Sequence, residues 1–143
     1  MRLTVMSDYA LRVLMYVGTV PDRLVTVDEI AHAYDISSNH LMKVVQELAR
    51  GGFLETTRGR GGGMRLAKPA ADISVAGVLR AMEEDFGLVE CFRTDNECRI
   101  TRVCRLRGAL NEALQAFFVS LDRCTLADLV ARPKVLTANF RGP

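Results

Sequence analysis

The sequence lacks the features that mark secreted and membrane-spanning proteins. Its apolar N-terminal stretch, MRLTVMSDYALRVLMYVG, has one early arginine, no small-residue cleavage site, and two charged residues, Asp8 and Arg12, inside the apolar run. We therefore expect neither a signal peptide nor a membrane span, and a cytoplasmic location. Because thiols stay reduced in the cytoplasm, we expect the four cysteines to be ligands or sensors and not a disulfide framework.

Catalytic signatures are also missing from the sequence. It contains no nucleophile–base pair, no phosphate-binding loop, no paired-carboxylate constellation, no internal repeat and no low-complexity tract. The glycine-rich segment RGRGGG, residues 58–63, does not follow the strand and helix order of a Rossmann unit, so it is a weak nucleotide-binding loop. We therefore do not expect an enzyme.

The charge balance hides a strong asymmetry along the chain. The 143 residues carry a net charge of only +2 and fit one domain, or a small domain plus an oligomerisation element. Residues 36–68 contain six basic side chains against two acidic ones, whereas residues 69–98 contain seven acidic against two basic. A basic block beside an acidic block indicates that a polyanion meets the first and not the second. A random scatter of solvated charges is the alternative.

The first fifty residues carry the signals of three helices. Ser7 is predicted as the N-cap of a helix that ends near Gly18. The segment Thr26-Val27-Asp28-Glu29 has the form of a capping box and opens a short second helix. Either Ser37 or Ser38 can cap a third helix, which runs from about residue 39 to residue 50. Its buried stripe is Leu41, Val44, Val45 and Leu48.

A β-hairpin is predicted directly after the third helix. Two β-prone runs, residues 53–57 and 64–67, flank the RGRGGG segment. Helix, helix–turn–helix and hairpin follow one another in the order of a winged helix. The predicted fold class is therefore mainly α with a small β-hairpin wing: a winged helix-turn-helix DNA-binding domain over residues 1–70, plus a long dimerisation helix.

The second half of the chain is predicted to link and pair such domains. Residues 71–104 are predicted to form a connecting helix, which Ser74 caps and which ends near Gly87. A polar loop is predicted to follow this helix. Residues 105–131 are predicted to form a long amphipathic helix and a short C-terminal helix. We expect a second copy of the chain to cover the long helix, with packing inside the monomer as the alternative. Residues 132–143 have little to bury and are predicted to be a flexible tail.

The basic half contains candidate contacts to double-stranded DNA. The first turn of a recognition helix reaches base edges, basic residues further along it reach phosphates, and arginines on a narrow wing suit the minor groove. The alternatives are simple helix capping for Ser38, an exposed but non-contacting His40, and a tight turn with solvated arginines for RGRGGG. The predicted DNA-binding residues are Ser38, Asn39, His40, Lys43, Arg50, Arg58 and Arg60.

Three cysteines, Cys91, Cys98 and Cys104, fall within fourteen positions of a mostly polar segment. Their intervals of six and five residues differ from the two-residue spacing of common zinc ribbons. Three thiolates leave one position short of the usual four around an iron–sulfur cluster, so another donor must complete it. The alternatives are unrelated thiols, a zinc site and a metal-free disulfide switch. Cys124 lies beyond the long helix and is predicted to be a lone thiol.

Three segments together carry a family resemblance: MRLTVMSDYALRVLMYVG, SSNHLMKVVQELARGGFLETTRGRGGGMRLAKP and the cysteine segment from Cys91 to Cys104. Over roughly residues 1–130 the chain resembles the iron–sulfur winged-helix transcriptional repressor family. Members that regulate cluster assembly carry a histidine ligand three residues after the last cysteine, a position that is Arg107 here. Members that regulate cysteine metabolism lack the three cysteines. The chain is therefore most similar to the nitric-oxide-sensing members.

The resemblance implies a homodimer, crossed through the long helix, with an iron–sulfur cluster near the interface. It implies [4Fe–4S], with [2Fe–2S] as the alternative, held by Cys91, Cys98 and Cys104. It also implies Asp8 as the fourth ligand, reaching across from the other subunit. On sequence alone Asp8 is an acidic residue in the first turn of a helix, where the macrodipole favours it. The competing carboxylates are Glu83, Glu84, Asp85 and Glu90.

The sequence and the resemblance together predict a transcriptional repressor that senses nitric oxide. We expect it to bind operator DNA as a homodimer while its cluster is intact, and to release the operator on nitrosylation. A redox- or cluster-status-sensing regulator of the same family is the first alternative. The second is an iron–sulfur interaction protein that does not read DNA.

Overall fold

The computed structural model describes residues 2–140, which form seven α-helices and one two-stranded antiparallel sheet. Short 3₁₀ turns at Ala70–Asp72 and Glu90–Phe92 lie on either side of the fourth helix. The elements in chain order are α1 (Val5–Gly18), α2 (Val27–Tyr34), α3 (Ser38–Arg50), β1 (Leu54–Thr57), β2 (Gly63–Leu66), α4 (Val75–Met82), α5 (Arg105–Asp122), α6 (Leu126–Leu129) and α7 (Pro133–Phe140).

The predicted fold class, mainly α with a small β-hairpin wing, is confirmed. Helix α1 packs against α3, α4 and β2, and the apolar faces of α1, α2, α3 and the hairpin share one core. Strands β1 and β2 pair in the register Leu54↔Leu66. The hairpin is tied to the segment before α2 because Val25 and Met64 exchange backbone hydrogen bonds of 2.9 and 2.7 Å. The wing therefore has a fixed base on the helical core.

The first two helices start with side-chain caps, but the capping residue of α1 is not the predicted one. The capping box of α2 is confirmed, because the Thr26 side chain accepts from the Glu29 N–H and the Glu29 carboxylate accepts from the Thr26 N–H. The prediction that Ser7 caps α1 is wrong. The helix begins one turn earlier, where Thr4 Oγ1 accepts from the Ser7 N–H at 3.2 Å. Ser7 itself is buried inside the first turn.

The third helix starts without a side-chain cap, so the prediction of a capping serine is wrong. Ser37 occupies the N-cap position, but its side chain makes no capping hydrogen bond. The hydroxyl of Ser38 donates to Asp28 Oδ1 at 2.8 Å. This bond links the first turn of α3 to the first turn of α2, the two helices of the helix–turn–helix unit.

The cap of α4 is confirmed, but its predicted end near Gly87 is wrong. Ser74 Oγ accepts from the Gly77 N–H at 3.0 Å, and α4 then ends at Met82. Glu83 leaves the helix with extended backbone angles because its carboxylate is held at the N-terminus of α1 by three hydrogen bonds. Residues 83–89 are consequently irregular and lead into the cysteine segment.

Helix α5 is attached to the winged helix by a small second core. Only Leu114 and Phe118 of this helix are buried, and they pack with Ala76 of α4 and with the aromatic rings of Phe86 and Phe92. Phe117 and Leu121 are half-buried against the same core and Leu110 is also half-buried, whereas Leu106 is 63% exposed and Ala109 and Ala113 are exposed. The long amphipathic helix is confirmed, and part of its apolar stripe is not covered within the single chain.

The prediction that the C-terminal segment has little to bury is wrong for residues 133–140. They form α7, whose Phe140 is only 7% exposed. Its ring lies 5.1 Å from the rings of both Tyr16 in α1 and Tyr34 in α2. Residues 141–143, for which flexibility was also predicted, lie outside the described residues. No helix among residues 2–140 is long and apolar enough to cross a membrane.

Candidate DNA interface and metal centre

The exposed face of α3 presents the residues predicted to read DNA. Its opposite face inserts Leu41, Val44 and Leu48 completely into the core. This leaves Asn39, His40 and Lys43 exposed to solvent and Ser38 half-buried through its bond to Asp28. Because one face is fixed in the core, the outward side chains share a defined orientation, which a recognition helix requires.

Arg50, the predicted phosphate contact at the end of α3, is exposed but already paired. Its Nη1 lies 2.8–2.9 Å from the two carboxylate oxygens of Glu47, one turn earlier. An exposed pair of this kind contributes little to stability, so a phosphate could take over the guanidinium at small cost. Lys43, by contrast, has no ion-pair partner among residues 2–140.

The wing tip is shaped by glycine and carries two arginines. Gly59 and Gly61 have positive φ angles of 96° and 73°, which side-chain-bearing residues rarely adopt. A Cβ on Gly62 would lie 2.3 Å from the carbonyl oxygen of Thr57, so only glycine fits there. The tight loop leaves Arg58 and Arg60 exposed. Neither makes an ion pair within residues 2–140.

Sequence reasoning missed one side chain on the reading face, Met42. An apolar residue in an amphipathic helix is expected to point inward. Met42 lies next to the buried stripe but outside it, and it is 50% exposed. Its position relative to Leu41 and Val45 in the helical repeat was the available signal.

The three cysteines lie in an irregular segment between two fixed points. Cys91 lies in the 3₁₀ turn Glu90–Phe92, and Cys104 occupies the N-cap position of α5 without making a capping hydrogen bond. All three thiols, and that of Cys124, are free and half-buried. Among residues 2–140 of this single chain, no group of three or more His, Cys, Asp or Glu side chains is placed to hold a metal ion. The structure thus does not assemble the predicted site within one chain.

Several contacts attach the cysteine segment to the rest of the protein. Arg107 Nε, in the first turn of α5, donates to the backbone oxygen of Cys91 at 3.2 Å. The Thr101 hydroxyl donates to the backbone oxygen of Cys98 at 2.8 Å, and Phe92 packs into the second core. An open groove of about 850 Å³ lies between residues 92–95 and α5. The segment is anchored by its backbone and by Phe92, while its sulfur atoms remain uncommitted.

The donor set suits an iron–sulfur cluster in its chemistry. Three free thiols in one irregular segment supply the soft ligands that such clusters take. Cys104 stands at the positive end of the α5 dipole, which favours a negatively charged ligand set. Arg99, Arg102 and Arg105 in and beside the segment add positive charge, whereas Arg93 is paired with Asp95 at 3.1 Å. The residues present therefore fit such a cluster, except for the fourth ligand.

Asp8, predicted as the fourth ligand, is paired with another partner in this structure. Its carboxylate lies 2.9 Å from Arg12 Nη2 and 3.2 Å from Arg12 Nε, one turn along α1. Half of the Asp8 side chain is exposed, so a second group can approach it. The structure therefore leaves Asp8 accessible but does not bring it together with the three cysteines.

Three of the four competing carboxylates are engaged within the chain as hydrogen-bond acceptors, and among them Asp85 accepts from the Gly87 N–H at 2.7 Å. Glu83 accepts from the Thr4 N–H at 2.8 Å, from the Thr4 hydroxyl at 3.0 Å and from the Ser7 hydroxyl at 2.5 Å. Burial raises the pKa of Glu83, but these hydrogen bonds outweigh it and the pKa is lowered overall. Glu90 accepts from the Glu97 N–H at 2.9 Å. Glu83 is therefore strongly committed within the chain, whereas Glu90 is exposed and accepts a single hydrogen bond.

A clamp joins the C-terminal end of α5 to α4. Arg80 of α4 donates two hydrogen bonds of 2.8 Å to the carboxylate of Asp122, and its guanidinium lies 4.6 Å from the ring centroid of Phe118. The hydrogen bonds from Arg80 lower the pKa of Asp122. Helix α4 in turn packs on α1 and α3.

The fold and its exposed reading face define a winged-helix DNA-binding regulator. The family model of Rrf2, described as an iron-dependent transcriptional regulator, matches residues 3–132. The chain belongs to this family. As a transcriptional regulator it binds DNA, and it is not an enzyme.

Curated relatives agree with this assignment. The chain is 52% identical over 132 residues to the HTH-type transcriptional regulator NsrR of Geobacillus kaustophilus, covering 91% of this chain and 90% of the relative. It is 48% identical over the same length to NsrR of Bacillus subtilis, again covering 91% and 90%. The resemblance to the NsrR branch of the family is confirmed.

Solved structures support the fold. The cysteine regulator CymR of B. subtilis aligns with a TM-score of 0.71 at 22% identity, covering 92% of this chain and 97% of that one. The IscR of T. potens aligns with a TM-score of 0.74 at 19% identity, covering 92% and 87%. At these identities the likeness concerns the winged-helix architecture alone.

Proposed function

We propose that the protein is a transcriptional repressor that senses nitric oxide through an iron–sulfur cluster. It binds a palindromic operator as a homodimer while the cluster is intact and releases the operator when the cluster is nitrosylated. The observation that carries this proposal is the position of three free thiols in a segment attached to α5 and, through Phe92, to α4. The nitric oxide signal is inferred from the resemblance of this segment to the nitric-oxide-sensing members of the family.

In this proposal Cys91, Cys98 and Cys104 hold the cluster, with [4Fe–4S] favoured and [2Fe–2S] as the alternative. Asp8 of the partner subunit supplies the fourth ligand. The bound cluster supplies iron that reacts with nitric oxide, most readily where an oxygen ligand can leave. To act as a ligand, Asp8 gives up its ion pair with Arg12, which is exposed and therefore weak.

Release of the ligands would loosen both ends of the reading domain. Freed cysteines allow the segment to move away from the Arg107 contact and Phe92 to shift in the second core that joins α4 and α5. A freed Asp8 releases the first turn of α1, which packs beneath α3. The protein would then have two packing arrangements, one with the cluster bound and one without it. A ligand that stabilises one of two such arrangements acts as a conformational switch.

The homodimer is supported by the uncovered face of α5. Leu106 is 63% exposed, and Ala109 and Ala113, which follow it at intervals of three and four residues, are also exposed. Apolar residues at helical spacing along an 18-residue helix call for a partner surface. A second copy of α5 provides a surface of the same length and character.

The proposed DNA contacts follow the exposure of α3 and the wing. First-turn residues of α3 contact base edges, basic residues later in α3 contact phosphates, and the wing enters the minor groove. These residues are Ser38, Asn39, His40, Lys43, Arg50, Arg58 and Arg60.

A redox-sensing regulator of the same family is the second candidate. The half-buried thiols are accessible enough for oxidants to reach a cluster bound there. For a redox sensor, we expect mild oxidation to abolish operator binding reversibly while the protein keeps its iron. For a nitric oxide sensor, we expect operator binding to persist after the same mild oxidation.

Substitution of single cysteines tests the proposed function. Cys91→Ala, Cys98→Ala and Cys104→Ala should each abolish the broad iron–sulfur absorbance of anaerobically purified protein and weaken operator binding in a gel-shift assay. Cys124→Ala is the matched control, because this thiol is equally half-buried but lies outside the segment. If all three variants still bound the operator as the wild type does, operator binding would not depend on the cluster, and the proposal would be wrong.

A further inference from the structure

Met42 stands out among the hydrophobic residues of the DNA-binding half. Between residues 19 and 99 it is the one large hydrophobic side chain that is exposed, at 50%. Its neighbours Leu41, Val44 and Val45 are all in the core. The fold therefore makes little use of the Met42 side chain, although it is large and apolar.

The position of Met42 places it on the face that reads DNA. It is the fifth residue of α3, and Ser38 and Gln46 lie one turn before and one turn after it. The three side chains thus form a row along the helix in which an apolar group is flanked by two hydrogen-bonding groups. Met42 lies about 6 Å along the helix axis from Ser38, within the N-terminal turns that approach base edges.

The major groove offers one apolar feature to such a row, the C5-methyl group of thymine. Hydrogen-bonding groups read the other base edges, and apolar side chains read this methyl by contact. Methionine is flexible and polarisable, so its thioether can settle against a methyl group without strain. Contact also removes from water an apolar surface that is exposed in the free protein.

The geometry points to Met42 as a specificity-determining residue that contacts a thymine C5-methyl group in each half-site of the operator. This assignment rests on the proposed DNA reading by α3 and adds a base preference to it. Gln46 is free to donate and accept on one side, Ser38 can only accept on the other because its proton goes to Asp28, and Met42 selects thymine between them. Lys43, next in sequence, holds the phosphate backbone and carries no base preference.

Replacing thymine by uracil tests this assignment, because it removes only the methyl group. Full-length, anaerobically purified protein first selects duplexes from a randomised pool, and each thymine of a selected duplex is then replaced singly by uracil. At one position in each half-site the wild type should lose affinity about fourfold, the effect of one methyl group no longer buried. Met42→Ala should bind the thymine duplex more weakly and no longer distinguish uracil at that position.

Two further variants separate base reading from general weakening. Met42→Leu keeps an apolar side chain and should restore the preference for thymine over uracil. Lys43→Ala should weaken binding to both duplexes equally, lower the salt dependence and leave the preference intact.

Two results would overturn the assignment while leaving the proposed function standing. One is a wild type that tolerates uracil at every thymine, and the other is a Met42→Ala variant that retains the wild-type preference. A wild type that selects no duplex at all would refute the proposed DNA reading itself, and the role of Met42 with it.

Discussion

Replacing Phe140 by alanine should destabilise the winged helix, although Phe140 lies at the far end of the chain. Its ring is 7% exposed and lies 5.1 Å from the ring centroids of Tyr16 and Tyr34. The Tyr34 hydroxyl in turn donates to the Arg12 backbone oxygen at 3.2 Å, and burial raises the pKa of Tyr34 to about 12, so it stays a neutral donor. Phe140 therefore completes a cluster that joins α1, α2 and α7.

The expected loss in the free energy of unfolding depends on the burial of Phe140 and on the terminal position of α7 in the chain. Truncating a well-buried phenylalanine costs about 3–5 kcal/mol, and an aromatic pair contributes about 0.5–1.5 kcal/mol. A terminal helix can detach as a unit, so the loss cannot exceed the free energy with which α7 docks. We therefore expect a loss of about 2–3 kcal/mol in the free energy of unfolding, or about 5–10 °C in Tm.

Urea unfolding followed by far-ultraviolet circular dichroism measures this loss, with both variants at the same protomer concentration. Val135→Ala is the matched control, because Val135 is on the same helix and 58% exposed. The control should change the free energy of unfolding by less than about 0.5 kcal/mol. A Phe140→Ala variant as stable as Val135→Ala would show that α7 does not brace α1 and α2.

Three further perturbations test local features of the structure. Thr26→Ala should cost about 1 kcal/mol in urea unfolding because it removes a capping box, whereas Ser37→Ala should cost almost nothing since its side chain caps nothing; equal losses would refute the capping assignment. The pKa of Glu83 is lowered from its ordinary value of 4.5, so its stabilising contribution is present above pH 4.5 and is lost as the pH falls through the folded-state pKa. Glu83→Gln should therefore reduce the acid dependence of stability, and an unchanged pH profile would contradict this. Asp8→Ala should weaken the cluster absorbance more than Glu90→Ala does, and the reverse order would remove Asp8 as the fourth ligand.

Local signals were sufficient to predict most of the winged helix. The capping box at Thr26, the buried stripe of α3 and the glycine-rich loop each specify their own element from a few neighbouring residues. The misplaced caps of α1 and α3 were local errors, whereas the wrong end of α4 arose because a distant group decides the outcome. Helix α4 ends at Met82 because Glu83 bonds to the N-terminus of α1, 76 and 79 residues away in sequence.

The C-terminal helix shows the same limit. Nothing near residue 133 in the sequence indicates that Phe140 will be buried, because its partners are Tyr16 and Tyr34. The candidate metal site has a different limit. The sequence contains the three cysteines and shows their spacing. The proposed cluster that would bring the thiols together, and the proposed ligand from a second subunit, lie outside the single chain.

The most direct test of the central claim is a nitric oxide titration in which cluster absorbance and operator binding are measured on the same anaerobic sample. The proposed function predicts that the absorbance bleaches and the operator is released together, at the same ratio of nitric oxide to protein. Cys124→Ala should behave as the wild type. Purified protein that carries only zinc, or operator binding that persists after the absorbance is fully bleached, would contradict it.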